Sequence, residues 1–423
     1  MAASRLRWMI LGMLCLSTVI NYVDRQALSV VLPTLRKDLG ITSGQYGTIT
    51  TWFLVAYTVA QVAGGVVIDR LGTRLGFVVS IALWSAAAVS HAWAQGVVTL
   101  SIFRILLGLG EAGNWPAGGK AIAEWFPKAR RAFAMGVFDG GSAVGAMVAP
   151  PLVAALALVY GWRSAFVVTG LSGFVWMGAW LWLYRKPAEH PWLREGERAQ
   201  VLAEVEEVKT RQGNWLEGLR RIAGERKLWG LMVTRMVATP VWWFYVFWLP
   251  DYLSKERGFS LKEIGLFGWI PFLTVDIGKL VGGGLSDRLL RQGWTATFAR
   301  KGVMACGAVA MLGGVRVVQA ETAAGALGWV SLATFGFGLW SANILALHAD
   351  MFPASRMATA VGLTGAAASL GSAFFTYVTG LLVDSKGYAP AFWVAGTAAL
   401  VACLSLVFLL GRVEPMKNAE VAR

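Results

Sequence analysis

Charge is what this sequence is short of. Only 15% of its 423 residues are Asp, Glu, Lys or Arg, where a soluble chain carries about a quarter. Histidine and cysteine are scarcer still. There are three histidines, far apart, and three cysteines, Cys15, Cys306 and Cys403, each inside an apolar run. That distribution argues against a disulfide framework and against a metal site. A membrane-embedded hydrolase would need a nucleophile–base or metal constellation, which these residues do not supply, so no enzyme is expected. No Walker A lysine motif is present, so direct ATP drive has no support and no cofactor is expected. The short alternating segments of a membrane barrel are absent as well.

What is present is apolar sequence: 56% hydrophobic residues and a mean hydropathy of +0.57. The runs repeatedly exceed the ~18 residues that mark a transmembrane helix. A backbone in lipid must satisfy its own hydrogen bonds, so the spans are expected to be helical. Twelve are expected, at about 8–32, 46–68, 77–93, 99–123, 132–158, 162–183, 228–252, 264–285, 299–318, 325–350, 359–382 and 389–410. The first run carries Asn21, Asp24 and Arg25 and no small-residue cleavage site, so it reads as a retained helix rather than a signal peptide. A net charge of +14 would suggest nucleic acid in a soluble chain. Here most of the 38 Lys and Arg fall in segments that a cytoplasmic N-terminus places inside. The positive-inside rule then puts both termini in the cytoplasm, turns the basic surplus toward lipid and leaves no nucleic-acid partner.

Residues 184–227 break the hydrophobic pattern with ten Lys or Arg and several Glu. They read as a cytoplasmic linker, partly helical through "REGERAQVLAEVEEVKTR", between a six-helix bundle at 1–183 and another at 228–423. The halves echo each other. "EWFPKARRAFAMG" at 124–136 matches "DMFPASRMATAVG" at 350–362 with a shift of 226, which also aligns Gly145 with Gly371. "GVVIDR" at 65–70 corresponds to "GGLSDR" at 283–288. Parallel six-helix repeats are an architecture of secondary transporters, with substrate held between the repeats near mid-membrane. A wet chamber there, shared by fixed guanidinium groups and titrating acids, is the expectation on which the functional reading depends.

At these residues a resemblance emerges. "GVVIDRLGTR", with Gly65, Asp69, Arg70, Gly72 and Arg74, resembles the signature loop of the major facilitator superfamily between its second and third helices. The second copy keeps Gly283, Asp287, Arg288 and Arg291, but Leu290 stands where the later glycine would be, which leaves that turn's geometry open. The resemblance implies an all-α polytopic membrane protein with twelve transmembrane helices in two six-helix pseudo-symmetric bundles. "NYVDRQALSVVLP", "GLGEAGNWPAGGKAIAEWFP" and "LWSANILALHADMFP" narrow it to the anion:cation symporter family and its bacterial hexuronate and aldonate transporters. That family implies proton-coupled uptake of a sugar acid across the inner membrane.

The charges inside the spans carry the chemistry. Arg104 and Glu111 are seven residues apart, hence within about 20° on one helix face and about 10 Å apart along the axis. Ionised groups in a bilayer are costly and usually face a cavity or a partner. Asp24 and Arg25 lie at a comparable depth. Asp24 is expected to neutralise Arg104, leaving Arg25 for something anionic and Glu111 without a fixed partner. A desolvated carboxyl favours its protonated form unless a cation sits beside it. On this reading Glu111 and Asp24 carry protons, Arg104 biases Asp24, and Arg25 binds the substrate carboxylate as a bidentate fork.

Tyr22, in the Arg25 motif, is a further substrate candidate. Tyr57 and Gln61 share a helix face at i,i+4, and Trp340 and Asn343 at i,i+3, so each pair could meet a sugar. Lys120 reads as a snorkelling lysine, Asp276 and Lys279 as a self-neutralising pair, and Arg235 as a residue that could face the cavity. Gly108, Gly110 and Gly113 spell G-x-G-x-x-G, but in mid-span they indicate close helix approach rather than nucleotide binding. Asp69, Arg70, Arg74, Asp287 and Arg288, at cytoplasmic helix ends, are expected to latch one gate state.

The expected function is a proton-coupled symporter for a hexuronate or aldonate, working as a monomer in the bacterial inner membrane. Importing an anion against a negative interior needs cotransported positive charge, worth about 2.3 kcal/mol per charge at 100 mV. A sodium-coupled transporter and a transporter-like sensor are the alternatives.

Overall fold

The computed structural model describes residues 2–205, 224–352 and 354–414. Helix is the one regular secondary structure among the described residues. The first helices are α1 (Ala2–Leu39), α2 (Ser43–Ser90), α3 (Val97–Glu111), α4 (Asn114–Trp125), α5 (Lys128–Tyr160), α6 (Trp162–Leu183) and α7 (Glu195–Glu204). They are followed by α8 (Arg226–Arg257), α9 (Leu261–Phe267), α10 (Ile270–Arg291), α11 (Ala296–Met311) and the short α12 (Gly313–Arg316). The last three are α13 (Ala323–Met351), α14 (Ala354–Lys386) and α15 (Ala389–Ser405). Among the described residues ten helical stretches are long and apolar enough to cross a membrane. The chain is an all-α polytopic membrane protein. Helix α8 is as long as the others, but Arg235, Pro240, Pro250 and its run of Trp and Tyr lower its hydropathy.

Caps mark several starts. Thr42 accepts from the Gln45 N–H at the head of α2, Ser260 from Glu263 at α9, Thr295 from Phe298 at α11 and Thr322 from Gly325 at α13. Each satisfies one of the donors a helix N-terminus leaves open. Helix α2 carries two expected spans joined at Gly72, whose φ of 78° departs from the helix. A glycine is favoured there because a Cβ would be strained.

Three differences from the expected spans have local causes. The span at 99–123 is broken after Glu111, where the Gly113 N–H turns back to the Gly110 carbonyl at 3.3 Å. The span at 264–285 is split at Gly268–Trp269 ahead of Pro271, and the span at 299–318 is interrupted at Leu312. In the second copy of the signature loop the positive φ falls on Gly293, at 89°, three residues after Leu290. That glycine terminates α10, with the Gly293 N–H bonded to the Leu290 carbonyl at 3.0 Å. Within the stretch expected to be partly helical, α7 covers Glu195–Glu204, and residues 206–223 lie outside the described residues.

Contacts divide the described residues into two compact units. One is built from α1–α7 with Phe259–Trp269, the other from α8 and α10–α15. In the first, α1 packs most extensively on α5 and α2 on α3. In the second, α8 packs on α14 and α10 on α13, a repeat of the same pattern. The aligned glycines serve the same end in both. A Cβ on Gly145 of α5 would stand 2.6 Å from the Val19 carbonyl oxygen of α1, and one on Gly371 of α14 would meet the Met236 carbonyl oxygen of α8. Small residues let these helix pairs touch backbone to backbone.

Candidate functional site

Helix α1 brings Asn21, Asp24 and Arg25 into the interior of the first unit. Arg25 is 1% exposed and donates to Glu111 at the last residue of α3, through Nε at 2.8 Å and Nη2 at 2.6 Å. Nη2 also reaches Asn21 Oδ1 at 3.1 Å, one turn earlier on α1. Three rings surround the guanidinium, Tyr22, Tyr57 and Phe53, with centroids 4.8, 5.0 and 5.2 Å from its central carbon. A desolvated cation gains from such aromatic faces.

The pairing differs from the one expected. Arg104 makes no direct bond to Asp24, although its charge acts on that carboxyl; its Nη1 donates to the Arg25 backbone carbonyl at 3.1 Å, and its Nε is buried without a hydrogen-bond partner. The carboxyl of Asp24 is buried, with the Thr169 hydroxyl as its side-chain neighbour and Arg104 within electrostatic reach. Glu111, expected to lack a fixed partner, is the acid that Arg25 holds. Arg25, expected to be free, is engaged. The break after Glu111 assists this, because α4 restarts at Asn114, which is pinned to α1 by Ser17 at 3.0 Å and Thr18 at 3.1 Å.

Other candidates fall as follows. Tyr22 and Tyr57 are buried against Arg25, with Gln61 part-buried one turn beyond Tyr57 on α2. Trp340 and Asn343 are buried in the second unit, where Asn343 Nδ2 donates to the Gly282 carbonyl of α10 at 3.2 Å and the Leu339 carbonyl at 2.9 Å. Only Asn343 Oδ1 is left without a partner on that side chain. A Cβ on Gly108 would stand 2.6 Å from the Phe53 carbonyl oxygen, and one on Gly110 2.6 Å from the Trp84 nitrogen, so those glycines serve helix approach. Asp276 and Lys279 pair at 3.3 Å.

At the signature loops, Asp69 pairs with Lys120 at 2.7 Å, and Arg74 donates to the Leu181 carbonyl. In the second copy Arg300 bridges Asp287 at 2.9 Å and Asp350 at 3.1 Å. Arg70 and Arg288 are exposed. Phe53, Asn114 and Thr169 went unread in the sequence, and Asn21 was noted only as a polar residue of the first run. Asn21, four before Arg25, and Asn114, three after Glu111, carried a usable helical-neighbour signal. Phe53 and Thr169 carried none.

A family description matches residues 14–376, that of the Major Facilitator Superfamily. The chain is 34% identical to the hexuronate transporter of Escherichia coli K12, over 98% of this chain and 96% of that one. It is 35% identical to the galacturonate transporter of Dickeya chrysanthemi, over 73% and 90%. Among solved structures it resembles a D-xylose-proton symporter, with a TM-score of 0.74 at 15% identity over 97% of this chain and 99% of that one. A bacterial homologue of the human lysosomal transporter Spinster gives 0.73 at 17% identity over 96% and 95%. Those likenesses speak for the fold. With its two packed units, its paired signature loops and these relatives, the chain belongs to the Major Facilitator Superfamily as a membrane transporter related to the bacterial sugar-acid transporters.

Proposed function

We propose that this chain is a proton-coupled symporter that imports a hexuronate or aldonate across the bacterial inner membrane by alternating access. Twelve spans in two six-helix bundles, at 1–183 and 228–423, joined by a cytoplasmic linker at 184–227, are part of the same reading. So are cytoplasmic termini and a monomeric state. The observation that carries it is the buried Arg25–Glu111 ion pair beside the buried Asp24 carboxyl. An ionised Glu111 occupies the guanidinium edge that a substrate carboxylate would use. A proton on Glu111 cancels its charge and frees that edge, so substrate and proton load together. Asp24 is the second proton carrier, and Arg104 biases it. Tyr22, Tyr57 and Gln61 offer contacts for sugar hydroxyls, and in the second unit Trp340 and Asn343, the latter through Oδ1, extend the set. Asp69, Arg70, Arg74, Asp287 and Arg288 form the latch that alternates.

The test is uptake of labelled galacturonate into proteoliposomes with an alkaline interior and no sodium. Uphill accumulation that a protonophore abolishes is expected. Accumulation that requires sodium, or is indifferent to the protonophore, defeats the reading. Glu111→Gln is expected to lose accumulation and keep counterflow exchange; a variant that keeps both removes the proton role from Glu111.

A further inference from the structure

Arg235 of α8 is an intramembrane cation that the charge cluster of the first unit does not account for. Its Nη1 donates to Thr364 Oγ1 on α14 at 3.0 Å, and Thr364 Oγ1 lies 2.9 Å from His348 Nε2 on α13. His348 Nδ1 stands 2.9 Å from the Ile344 carbonyl, which can only accept, so Nδ1 carries the ring proton and a neutral His348 presents Nε2 as an acceptor. The Thr364 hydroxyl then gives a lone pair to Arg235 and shares its proton between His348 Nε2 and the Val361 carbonyl, 3.2 Å away. One corner of the guanidinium is thus anchored through three helices.

Its other edge is open. Arg235 is only part-buried, and its Nε and Nη2 are not among the sealed, unpartnered atoms of the described residues. Among the described residues no carboxylate pairs with it. A Cβ on Gly365 would have Arg235 Nη1 as its nearest neighbour, at 4.0 Å, so the flank on α14 is also uncrowded. An unpaired guanidinium in a span is expensive to keep. A residue serving only as a positive anchor would extend freely toward the interface, whereas Arg235 is tied to a neighbouring helix.

Charge arithmetic points the same way. Asp24, Arg25, Arg104 and Glu111 sum to zero when both acids are ionised, so until a proton reaches Glu111 that cluster offers no net counter-charge to an anion. We propose that Arg235, positioned by Thr364 and His348, is a carboxylate-binding group of the second unit. It takes the anionic end of a sugar acid on its Nε–Nη2 edge while Glu111 is still ionised and holds Arg25. A guanidinium edge matches a carboxylate with two parallel hydrogen bonds, which a lysine cannot reproduce. This rests on the transport reading above.

The experiment is calorimetric titration of the purified full-length protein with galacturonate, glucuronate and galactonate, with unliganded thermal midpoints recorded beside it. Wild type binds at least one of them. Arg235→Gln weakens that binding at least about tenfold, the scale of a lost charge-assisted hydrogen bond. Arg235→Lys, which keeps the charge and loses the fork, weakens it less, and Thr364→Val, which releases the anchor, weakens it as well. If the glutamine variant does not fold, the lysine and valine variants decide. Wild-type affinity in the folded Arg235 variants overturns this inference and leaves the transport reading standing. No binding by wild type to any of the three acids takes down the transport reading and this inference with it.

Discussion

Arg25 Nε and Nη2 converge on a single oxygen of Glu111, although the two residues lie 86 positions apart in the chain. The other oxygen, Oε1, is buried with no hydrogen-bond partner. The pair is therefore tight and only half satisfied. An acceptor that engaged both donors side by side could displace it once a proton has neutralised the acid.

Removing either partner strands the other charge in the interior, which costs about 3–5 kcal/mol. Arg25→Ala and Glu111→Ala are each expected to lose stability on that scale. The double variant should lose less than their sum, by about 0.5–3 kcal/mol of coupling. Unfolding of all four proteins in one detergent measures this, and strict additivity would mean the two groups do not interact.

Asp24 is expected to behave in the opposite way. Its carboxyl is buried and makes no salt bridge among the described residues, so it contributes function at the expense of stability. Asp24→Asn should keep or raise the thermal midpoint and abolish uphill accumulation in proteoliposomes. A variant that unfolds readily would show that Asp24 is structural.

The glycine contacts give a packing test. Gly145→Ala places a Cβ 2.6 Å from the Val19 carbonyl oxygen, whereas a Cβ on Gly136 of the same helix meets nothing within 4 Å. Overpacking of this kind costs about 1–3 kcal/mol. Gly145→Ala and Gly371→Ala should each lower the thermal midpoint, and Gly136→Ala should leave it unchanged.

Just beyond α6, His190 Nδ1 accepts from the Trp192 N–H at 3.2 Å, and Nε2 lies 3.0 Å from the Leu183 carbonyl. Burial lowers its pKa from the ordinary 6.5, with Arg185 and Arg198 adding to the effect and the Leu183 carbonyl opposing it. A histidine depressed in the folded state takes up protons on local unfolding, so its stabilising contribution is complete above 6.5 and declines as pH falls below that value. Amide exchange in peptides covering 184–195, corrected for intrinsic rate, should therefore quicken more at about pH 5 than at about pH 8. Replacing His190 with Gln should remove most of that difference.

The helical spans, the two repeats and the signature loops were legible in the residues themselves. Hydropathy is a local sum, and lipid admits little besides helices for such runs. The membership of the charge cluster was legible too, because ionisable residues in a span stand out against an apolar background. Its pairing was not. Asp24 and Arg25 are neighbours that point about 100° apart on a helix, so a small error in the phase of α1 exchanges which of them faces α3. The tertiary structure settled that choice, giving Arg25 to Glu111 and Arg104 to a backbone carbonyl. It likewise placed the break after Glu111, moved the second loop's glycine turn to Gly293 and used the Asn343 amide nitrogen in helix packing. Each of these depends on contacts between helices distant in sequence, which no window along the chain contains.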